Sequence, residues 1–190
     1  MMQDDRAMEK ISKKYGLTRY LLIVGASYPH KNISRALHAF SKVNRVMPEL
    51  ELVVLGGRRE YVKTLKYEAK NLGLQRVRFL DYVPADELPA FYSGATALIY
   101  PSLYEGFGLP PLEAMACGCP VIVSKTSSLP EVCGDAAYYI DPYSAESIAE
   151  AICKVARDEN LRNHLRQKGL ERAKLFTWDK TAQGVYEVLK

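Results

Sequence analysis

Two glutamates flank a turn rich in glycine and proline in residues 104–118, YEGFGLPPLEAMACG. Gly106 and Gly108 allow positive φ angles and a close approach of the backbone to a ligand. The prolines that follow are typical of the first turn of a helix, whose free amide groups and positive dipole end attract an anion. The run therefore predicts either an anion site or a simple helix cap.

The two acids extend the first of these alternatives. Glu105 stands in the turn, and Glu113 is expected in the first turn of the helix, so the two carboxylates would flank an anion rather than bind it. A carboxylate accepts hydrogen bonds from hydroxyl groups. A nucleotide sugar would satisfy this arrangement, because it carries a diphosphate between a ribose and a hexose.

The elements that must position this turn alternate between apolar runs and helical stretches. The runs are continuously apolar, which is typical of parallel strands buried on both faces of a sheet. They cover residues 20–25, 50–56, 77–80, 96–101, 120–124 and 137–140. The alternation predicts an α/β fold, a Rossmann-like doubly wound parallel sheet of about six strands with right-handed crossovers. Ligands of such sheets bind beyond the carboxyl ends of the strands, where the turn lies.

Helices are predicted over residues 32–48, 61–73, 86–95 and 110–118. The first has apolar residues at spacings of three and four and Asn32 as its expected N-cap. The second closes on Gly73, as is typical of a helix C-terminus. From about Ser144 the sequence is helical, so extra C-terminal helices follow the sheet. The stretch before Tyr20 is interpreted as an amphipathic helix or an ordered arm.

The composition is that of a globular domain, with 190 residues of which 48% are hydrophobic and 25% charged. The net charge of +4 comes from basic residues spread along the chain, so no nucleic-acid surface is indicated. The cysteines lack C-x-x-C spacing and nearby histidines, which argues against a zinc site. His30, His38 and His164 are expected to have no metal or catalytic role.

The N-terminal residues are charged, and no apolar run is as long as a membrane span. We therefore predict a cytoplasmic location with reduced thiols.

A series of short motifs follows in residues 101–142, PSLYEGFGLPPLEAMACGCPVIVSKTSSLPEVCGDAAYYIDP. In chain order they are PS, a glutamate before GFG, a second glutamate after seven intervening residues within EAMA, then G, PV and PEV. This stretch closely resembles the donor-binding core of retaining GT-B glycosyltransferases, the group 1 family of nucleotide-sugar enzymes. The similarity continues in VGASYPHKN (24–32), LVVLGG (52–57), residues 77–95 and FTWDKTA (176–182), so it covers nearly the whole chain.

The resemblance implies roles for the matching positions of the turn. Glu105 corresponds to the residue that contacts the hydroxyls of the donor sugar, and Glu113 to the residue that holds the ribose hydroxyls. The donor-binding backbone also includes Gly106, and the amides that face the sugar and the diphosphate belong to Phe107, Gly108 and Leu109.

Three further positions match outside the turn. Lys31 corresponds to the lysine that binds the diphosphate as a point charge, and with Glu105 it forms the implied catalytic pair. Gly25 corresponds to the glycine that lets the phosphate approach the first strand, and the backbone of Val83 to the part that meets the nucleobase.

One position departs from the family. Many relatives have an arginine directly after the first glycine, where Ala26 follows Gly25 here. We hypothesise that Arg58 or Arg59, after the second strand, supplies the missing charge; the alternative is that both are solvated charges at a helix start.

Enzymes of this family have two facing domains, and the sequence matches only the second. Residues 1–190 are therefore interpreted as a single donor-binding domain, which is an excised domain, a truncated product or a subunit of a split enzyme. Residues 177–190 are expected to pack on an N-terminal domain, with Phe176, Trp178 and Tyr186 exposed in its absence. Peripheral membrane association would arise only through that other half.

The resemblance implies retaining transfer of a hexose from a UDP- or GDP-sugar to a glycan or lipid-linked acceptor. No cofactor and no essential metal are expected, and the sequence has no D-x-D motif. The chain alone is expected to bind nucleotide weakly and to transfer little sugar.

Two alternatives remain at this point. One is a nucleotide-sugar epimerase of GT-B architecture, which the spaced glutamate pair disfavours, and the other is a non-catalytic nucleotide-sugar-binding subunit. A dehydrogenase is disfavoured because no G-x-G-x-x-G follows residues 20–25.

Overall fold

The computed structural model describes the backbone of residues 5–190 and, within it, the side chains of residue 9 and of residues 11–190. The first four residues of the predicted domain lie outside this description. The chain forms an α/β sandwich around one parallel sheet, as the alternating pattern predicts.

The sheet contains six strands in the order β3-β2-β1-β4-β5-β6, and every neighbouring pair is parallel. The strands are β1 (Tyr20–Ala26), β2 (Glu51–Gly57), β3 (Val77–Leu80), β4 (Ala97–Tyr100), β5 (Val121–Ser124) and β6 (Ala137–Ile140). The order reverses between β1 and β4, so the connections on the two sides of this pair run in opposite directions. This reversal is the point at which doubly wound sheets bind ligands.

Nine helices are found in residues 5–190, besides a 3₁₀ turn at Pro29–Lys31. They are α1 (Asp5–Tyr15), α2 (Ile33–Val46), α3 (Arg59–Asn71), α4 (Leu88–Gly94), α5 (Leu109–Ala116), α6 (Leu129–Cys133), α7 (Ala145–Arg157), α8 (Glu159–Ala173) and α9 (Trp178–Val188). The short helix α6, which contains the PEV motif, was not predicted, because five residues are too few for a helical period to show in sequence.

The edge strands β3 and β6 are only partly buried. The four strands between them are buried on both faces over most of their length, so alternate side chains of one strand enter different cores. In β1, Leu21 and Ile23 pack with α2, α3 and α7, whereas Tyr20 and Leu22 pack with α1, α4, α5 and α6. Helix α8 then packs across α5 and α7. Burying strands in this way holds their carboxyl ends in fixed relative positions, and these ends carry the residues with candidate chemistry.

Gly73 confirms the predicted end of α3, since it has a φ of +69° just beyond the helix. Asn32 is the N-cap residue of α2, as expected, although it does not cap the helix with its side chain. Asn32 has the left-handed φ of 59°, and its side chain makes no capping hydrogen bond to α2. Its amide group is buried and serves the neighbouring loops instead.

The last helix projects its side chains away from the sheet. No residue of α9 is buried, and Trp178 and Tyr186 are exposed by 83% and 63%, as expected. Phe176 differs from the expectation, because it precedes α9 and its ring meets the ring of Phe107 edge to face at 5.8 Å between centroids. Among the helices of residues 5–190, none has the length and apolar character to cross a membrane.

Candidate functional site

Lys31 and Glu105 meet at the carboxyl edge of the sheet. Lys31 follows β1 and Glu105 follows β4, and since these strands are neighbours their loops converge. Lys31 Nζ lies 2.6 Å from Glu105 Oε1, and the two side chains are only 18% and 11% exposed. The structure thus brings together the two residues that were assigned the catalytic roles, 74 positions apart in sequence.

Tyr100 completes this pair and was not identified from the sequence. Lys31 Nζ donates a second hydrogen bond, of 2.9 Å, to the hydroxyl of Tyr100, which is the last residue of β4 and is buried. Burial raises the pKa of the Glu105 carboxyl, but the hydrogen bond from Lys31 and the nearby hydroxyl groups of Ser102 and Tyr100 outweigh burial and leave that pKa below its usual value. Glu105 is therefore a carboxylate at neutral pH and an acceptor for hydroxyl groups.

The loop that carries Lys31 is fastened to its neighbours. The side-chain amide of Asn32 donates to the carbonyl oxygens of Pro101 and Pro142, at 2.9 and 2.7 Å. The amide of Leu103 donates to the carbonyl oxygen of His30 at 2.8 Å. These bonds join the turn after β1 to the segment after β4, so Lys31 and Glu105 keep a fixed relative position.

Two serines before α6 hold the segment that carries Glu105. The amide of Glu105 donates to Ser127 Oγ at 3.0 Å, and Ser127 has a left-handed φ of 48°. The hydroxyl of Ser128 lies 2.9 and 2.8 Å from the carbonyl oxygens of Glu105 and Phe107. The sequence signal was the SS pair before the PEV motif, which becomes informative only once α6 is known to lie beside the turn.

The turn itself ends at the N-terminus of α5. Gly108 has a φ of 109° and precedes the first residue of the helix, as expected, whereas Gly106 is not among the glycines with positive φ. The expectation for Gly106 was wrong. The prolines at positions 110 and 111 have no N–H, so the free amides at this helix end belong to Gly108 and Leu109. With the amide of Phe107 just before them, they match the backbone segment predicted to face a donor.

Glu113 stands on the other side of the same helix end. It is the fifth residue of α5 and so belongs to the second turn, not to the first as expected. The hydroxyl of Tyr92, a buried residue of α4, donates to Glu113 Oε2 at 2.9 Å. This leaves the other carboxylate oxygen of Glu113 for a different donor.

The signal for both tyrosines was available in part. Each carries a hydroxyl into an otherwise apolar run, and a buried hydroxyl requires a hydrogen-bond partner. Only the folded arrangement shows that the partners are Lys31 in one case and Glu113 in the other.

The remaining predicted positions lie at the same edge of the sheet. Gly25, in β1, has a φ of 84°, and a Cβ atom there would meet no atom within 4 Å, so its surface is open. Val83 is partly buried in the loop after β3, two strands away from β1. The structure therefore does not bring Val83 into direct contact with the Lys31 and Glu105 pair.

Arg58 and Tyr28 form a small stack beside this edge. The guanidinium of Arg58 lies 4.2 Å from the centroid of the Tyr28 ring and donates to the Tyr28 hydroxyl. The ring of Tyr28 in turn stacks on His30 at 5.6 Å. Arg59 is the first residue of α3.

In the part of the chain that the structure describes, no three His, Cys, Asp or Glu side chains are grouped as a metal site would require. The site instead combines the ammonium group of Lys31, the carboxylates of Glu105 and Glu113, and a helix N-terminus with two free amides. Such a set binds an anion between groups that accept hydrogen bonds from hydroxyls.

The sequence pattern of the family described as glycosyl transferases group 1 matches residues 4–172. The chain belongs to this family. The match confirms the resemblance drawn from residues 101–142 and the α/β Rossmann-like fold expected with it. The family is described by glycosyl transfer and not by epimerisation.

Two relatives of this family are similar to the chain. O-antigen chain mannosyltransferase B of Escherichia coli is 37% identical over 173 residues, which is 89% of this chain and 45% of that protein. O-antigen chain mannosyltransferase RfbU of Salmonella typhimurium is 44% identical over 135 residues, or 70% of this chain and 37% of that protein. The chain thus spans less than half the length of these relatives.

One solved structure is of a single domain, and the alignment with this chain covers nearly all of that domain. The C-terminal domain of the glycosyl transferase group 1 family protein LpcC from Francisella tularensis aligns with a TM-score of 0.78 and 26% identity. The alignment covers 88% of this chain and 91% of that domain.

Proposed function

We propose that this chain is the donor-binding half of a retaining hexosyltransferase that uses a UDP- or GDP-linked sugar. The observation that carries the proposal is the Lys31 and Glu105 pair, held at the strand reversal beside the N-terminus of α5. The pair combines a cation for a diphosphate with a carboxylate for sugar hydroxyls. The names of the two relatives favour mannose as the hexose and a glycan as the acceptor.

The donor would lie along the carboxyl edge with its diphosphate at Lys31 and at the amides of Gly108 and Leu109. The hexose would then meet Glu105, and the ribose would meet the free oxygen of Glu113. This arrangement fits the order of the groups along the chain, because Glu105 precedes the N-terminus of α5 and Glu113 lies beyond it in the second turn of the helix.

The other donor contacts follow from this placement. The backbone of Gly106 and Phe107 would line the sugar, and the open surface at Gly25 would admit the phosphate. The backbone of Val83, two strands away, would reach the nucleobase at the far end of the nucleotide.

Transfer with retention would depend on stabilising the diphosphate as it leaves. Lys31 supplies a fixed positive charge, and the helix amides supply preorganised hydrogen-bond donors, so neither has to reorient as negative charge develops. Stabilisation of the diphosphate by Lys31 and the helix amides would require no resident metal. Arg58 would have to leave the ring of Tyr28 to add its charge, and the nucleotide affinity of Arg58→Ala tests whether it does.

The acceptor side would come from an N-terminal domain or subunit. The exposed apolar side chains of α9, Trp178, Val185 and Tyr186 among them, would pack against it. We therefore expect the isolated chain to bind nucleotide weakly and to transfer little or no sugar by itself. Efficient transfer by the purified chain would contradict this expectation.

Calorimetric titration with UDP, GDP and ADP tests the proposal and identifies the base. Lys31→Ala should weaken binding of the preferred nucleotide at least tenfold, since it removes a charge-assisted hydrogen bond to phosphate. Lys42→Ala is the matched control, because Lys42 is also ion-paired to a glutamate, Glu146, but lies outside the site. Equal affinities of the two variants, or no binding to any of the three nucleotides, would refute the proposal.

A further inference from the structure

Two buried tyrosines contact the two ends of the candidate donor site. Tyr100 accepts a hydrogen bond of 2.9 Å from Lys31 Nζ, and Tyr92 donates one of 2.9 Å to Glu113 Oε2. We propose that Tyr100 and Tyr92 are positioning residues, Tyr100 for the diphosphate and hexose end of the donor and Tyr92 for its ribose. This inference rests on the proposed function and adds to it the groups that set the geometry of Lys31, Glu105 and Glu113.

Tyr100 fixes the direction of the lysine ammonium group. An ammonium has three N–H donors, and the structure directs one to Tyr100 and one to Glu105, at 2.9 and 2.6 Å. The third donor is then defined in space and is available for a phosphate oxygen. Without the Tyr100 hydroxyl, the ammonium would keep one anchor and could rotate about it, so the phosphate contact would have to be ordered at the time of binding.

Tyr92 performs the corresponding task for Glu113. Its hydroxyl occupies Oε2, so the carboxylate is held with Oε1 as the free acceptor. Tyr92 belongs to α4 and Glu113 to α5, and the bond therefore ties the orientation of the carboxylate to the packing of two helices. A fixed acceptor binds a ribose diol at a lower entropic cost than a rotating one.

Both hydroxyls are buried, with 2% of Tyr100 and 1% of Tyr92 exposed. Burial raises the pKa of each phenol above its usual value, and the nearby glutamates raise it further. Both tyrosines therefore stay neutral at physiological pH, so that Tyr92 keeps the proton it donates to Glu113 and Tyr100 accepts from Lys31 as a neutral hydroxyl.

A purely structural role would be served by the rings alone, so Tyr→Phe substitutions separate the two explanations. Tyr20→Phe is the matched control. Tyr20 is equally buried, and its hydroxyl donates to the carbonyl oxygen of Phe91 at 2.8 Å, but it starts β1 at the amino edge, away from the site. Thermal unfolding of each variant establishes that it is folded before binding is measured.

The test is calorimetric titration with UDP or GDP, whichever wild type prefers, and with the 2′,3′-dideoxy form of the same nucleotide. Tyr92→Phe should weaken the normal nucleotide about tenfold and leave the dideoxy nucleotide unchanged, because only the first has the diol that Glu113 would bind. Glu113→Ala, which retains Tyr92, should lose the same selectivity and provides a second variant for this arm.

Tyr100→Phe should weaken both nucleotides about tenfold and should have no further effect in a Lys31→Ala background, since it acts through that lysine. Tyr20→Phe should change neither affinity. If Tyr92→Phe and Tyr100→Phe bind both nucleotides as Tyr20→Phe does, the positioning roles are refuted while the proposed function stands. If wild type binds neither UDP nor GDP, the proposed function and this inference fail together.

Discussion

Two carboxylates at opposite edges of the same sheet, one half-buried and one buried, are paired with cations, and they differ in what surrounds them. Glu105, at the carboxyl edge, pairs with Lys31 beside a helix N-terminus. Glu51, at the amino edge, is only 5% exposed and pairs with Arg76 and Arg78 at 3.0 and 2.7 Å.

The second cluster also binds its own backbone. Arg78 donates to the carbonyl oxygens of Tyr15 and Gly16, at 2.6 and 3.4 Å, so its guanidinium joins β3, β2 and the end of α1. A planar guanidinium whose N–H groups are bound on several sides by protein acceptors holds elements of the fold together. An ammonium group with one N–H donor left free can bind a ligand. Ion pairs of similar composition in one fold thus serve different purposes, and the number of hydrogen-bond donors left free on the cation distinguishes them.

Arg78→Met should produce the largest change, and it should be a change in stability. It leaves Glu51 with one cation and removes the two hydrogen bonds to the carbonyl oxygens of Tyr15 and Gly16, so we expect the free energy of unfolding to fall by about 3 kcal/mol. Arg76→Met, which removes a single contact, should cost about 1 kcal/mol. Chemical denaturation measures both.

The same two variants should bind nucleotide as wild type does when folded. A loss of affinity in Arg78→Met would show that the amino edge is coupled to the candidate site, and the distinction between the edges would be wrong.

Asn32→Gly should have the next largest effect. Glycine keeps the left-handed backbone at this position, so the variant removes the two hydrogen bonds to Pro101 and Pro142 and the one of 3.1 Å that Asn32 Oδ1 accepts from Arg35. We expect a loss of about 2 kcal/mol in unfolding free energy and a weaker nucleotide affinity, because Lys31 loses its fixed position. Asn44→Ala is the control, since the side-chain nitrogen of Asn44 has no hydrogen-bond partner among the described residues.

Gly108→Ala should destabilise the carboxyl edge less than Asn32→Gly does. A Cβ atom at this φ of +109° would lie 2.8 Å from Leu129 Cδ2, so we expect a cost of about 1 kcal/mol and a displaced helix end. Gly106→Ala should be tolerated, because its Cβ would meet no atom within 4 Å. Equal effects of the two substitutions on stability and nucleotide affinity would contradict the roles assigned to these glycines.

The smallest expected effect is on acid stability. The pKa of Glu105 is lowered on folding, so this group stabilises the fold above its ordinary value of 4.5. That contribution is lost as the pH falls below 4.5 through the lowered value. Glu105→Gln should therefore show a shallower loss of stability than wild type in this range, measured by denaturation at a series of pH values. Parallel pH profiles would show that Lys31 does not hold the carboxylate.

The sheet and the turn could be predicted from the sequence because both depend on local patterns. Continuous apolar runs defined the strands, and the positions of glycine and proline defined the start of α5. The roles of Tyr92, Tyr100 and Asn32 depend on partners 21, 69 and 110 positions away, which no local pattern reveals. The assignment of Glu113 to the first helical turn failed for a smaller reason, since α5 already begins at Leu109.

Chemical-shift mapping with a ¹⁵N-labelled chain tests most directly whether the carboxyl edge is the ligand site. On titration with UDP or GDP, we predict that the largest amide shifts fall in residues 29–32 and 103–109, with residues 74–78 beside the Glu51 cluster unchanged. Shifts concentrated in residues 74–78, or no shifts with either nucleotide, would contradict the account.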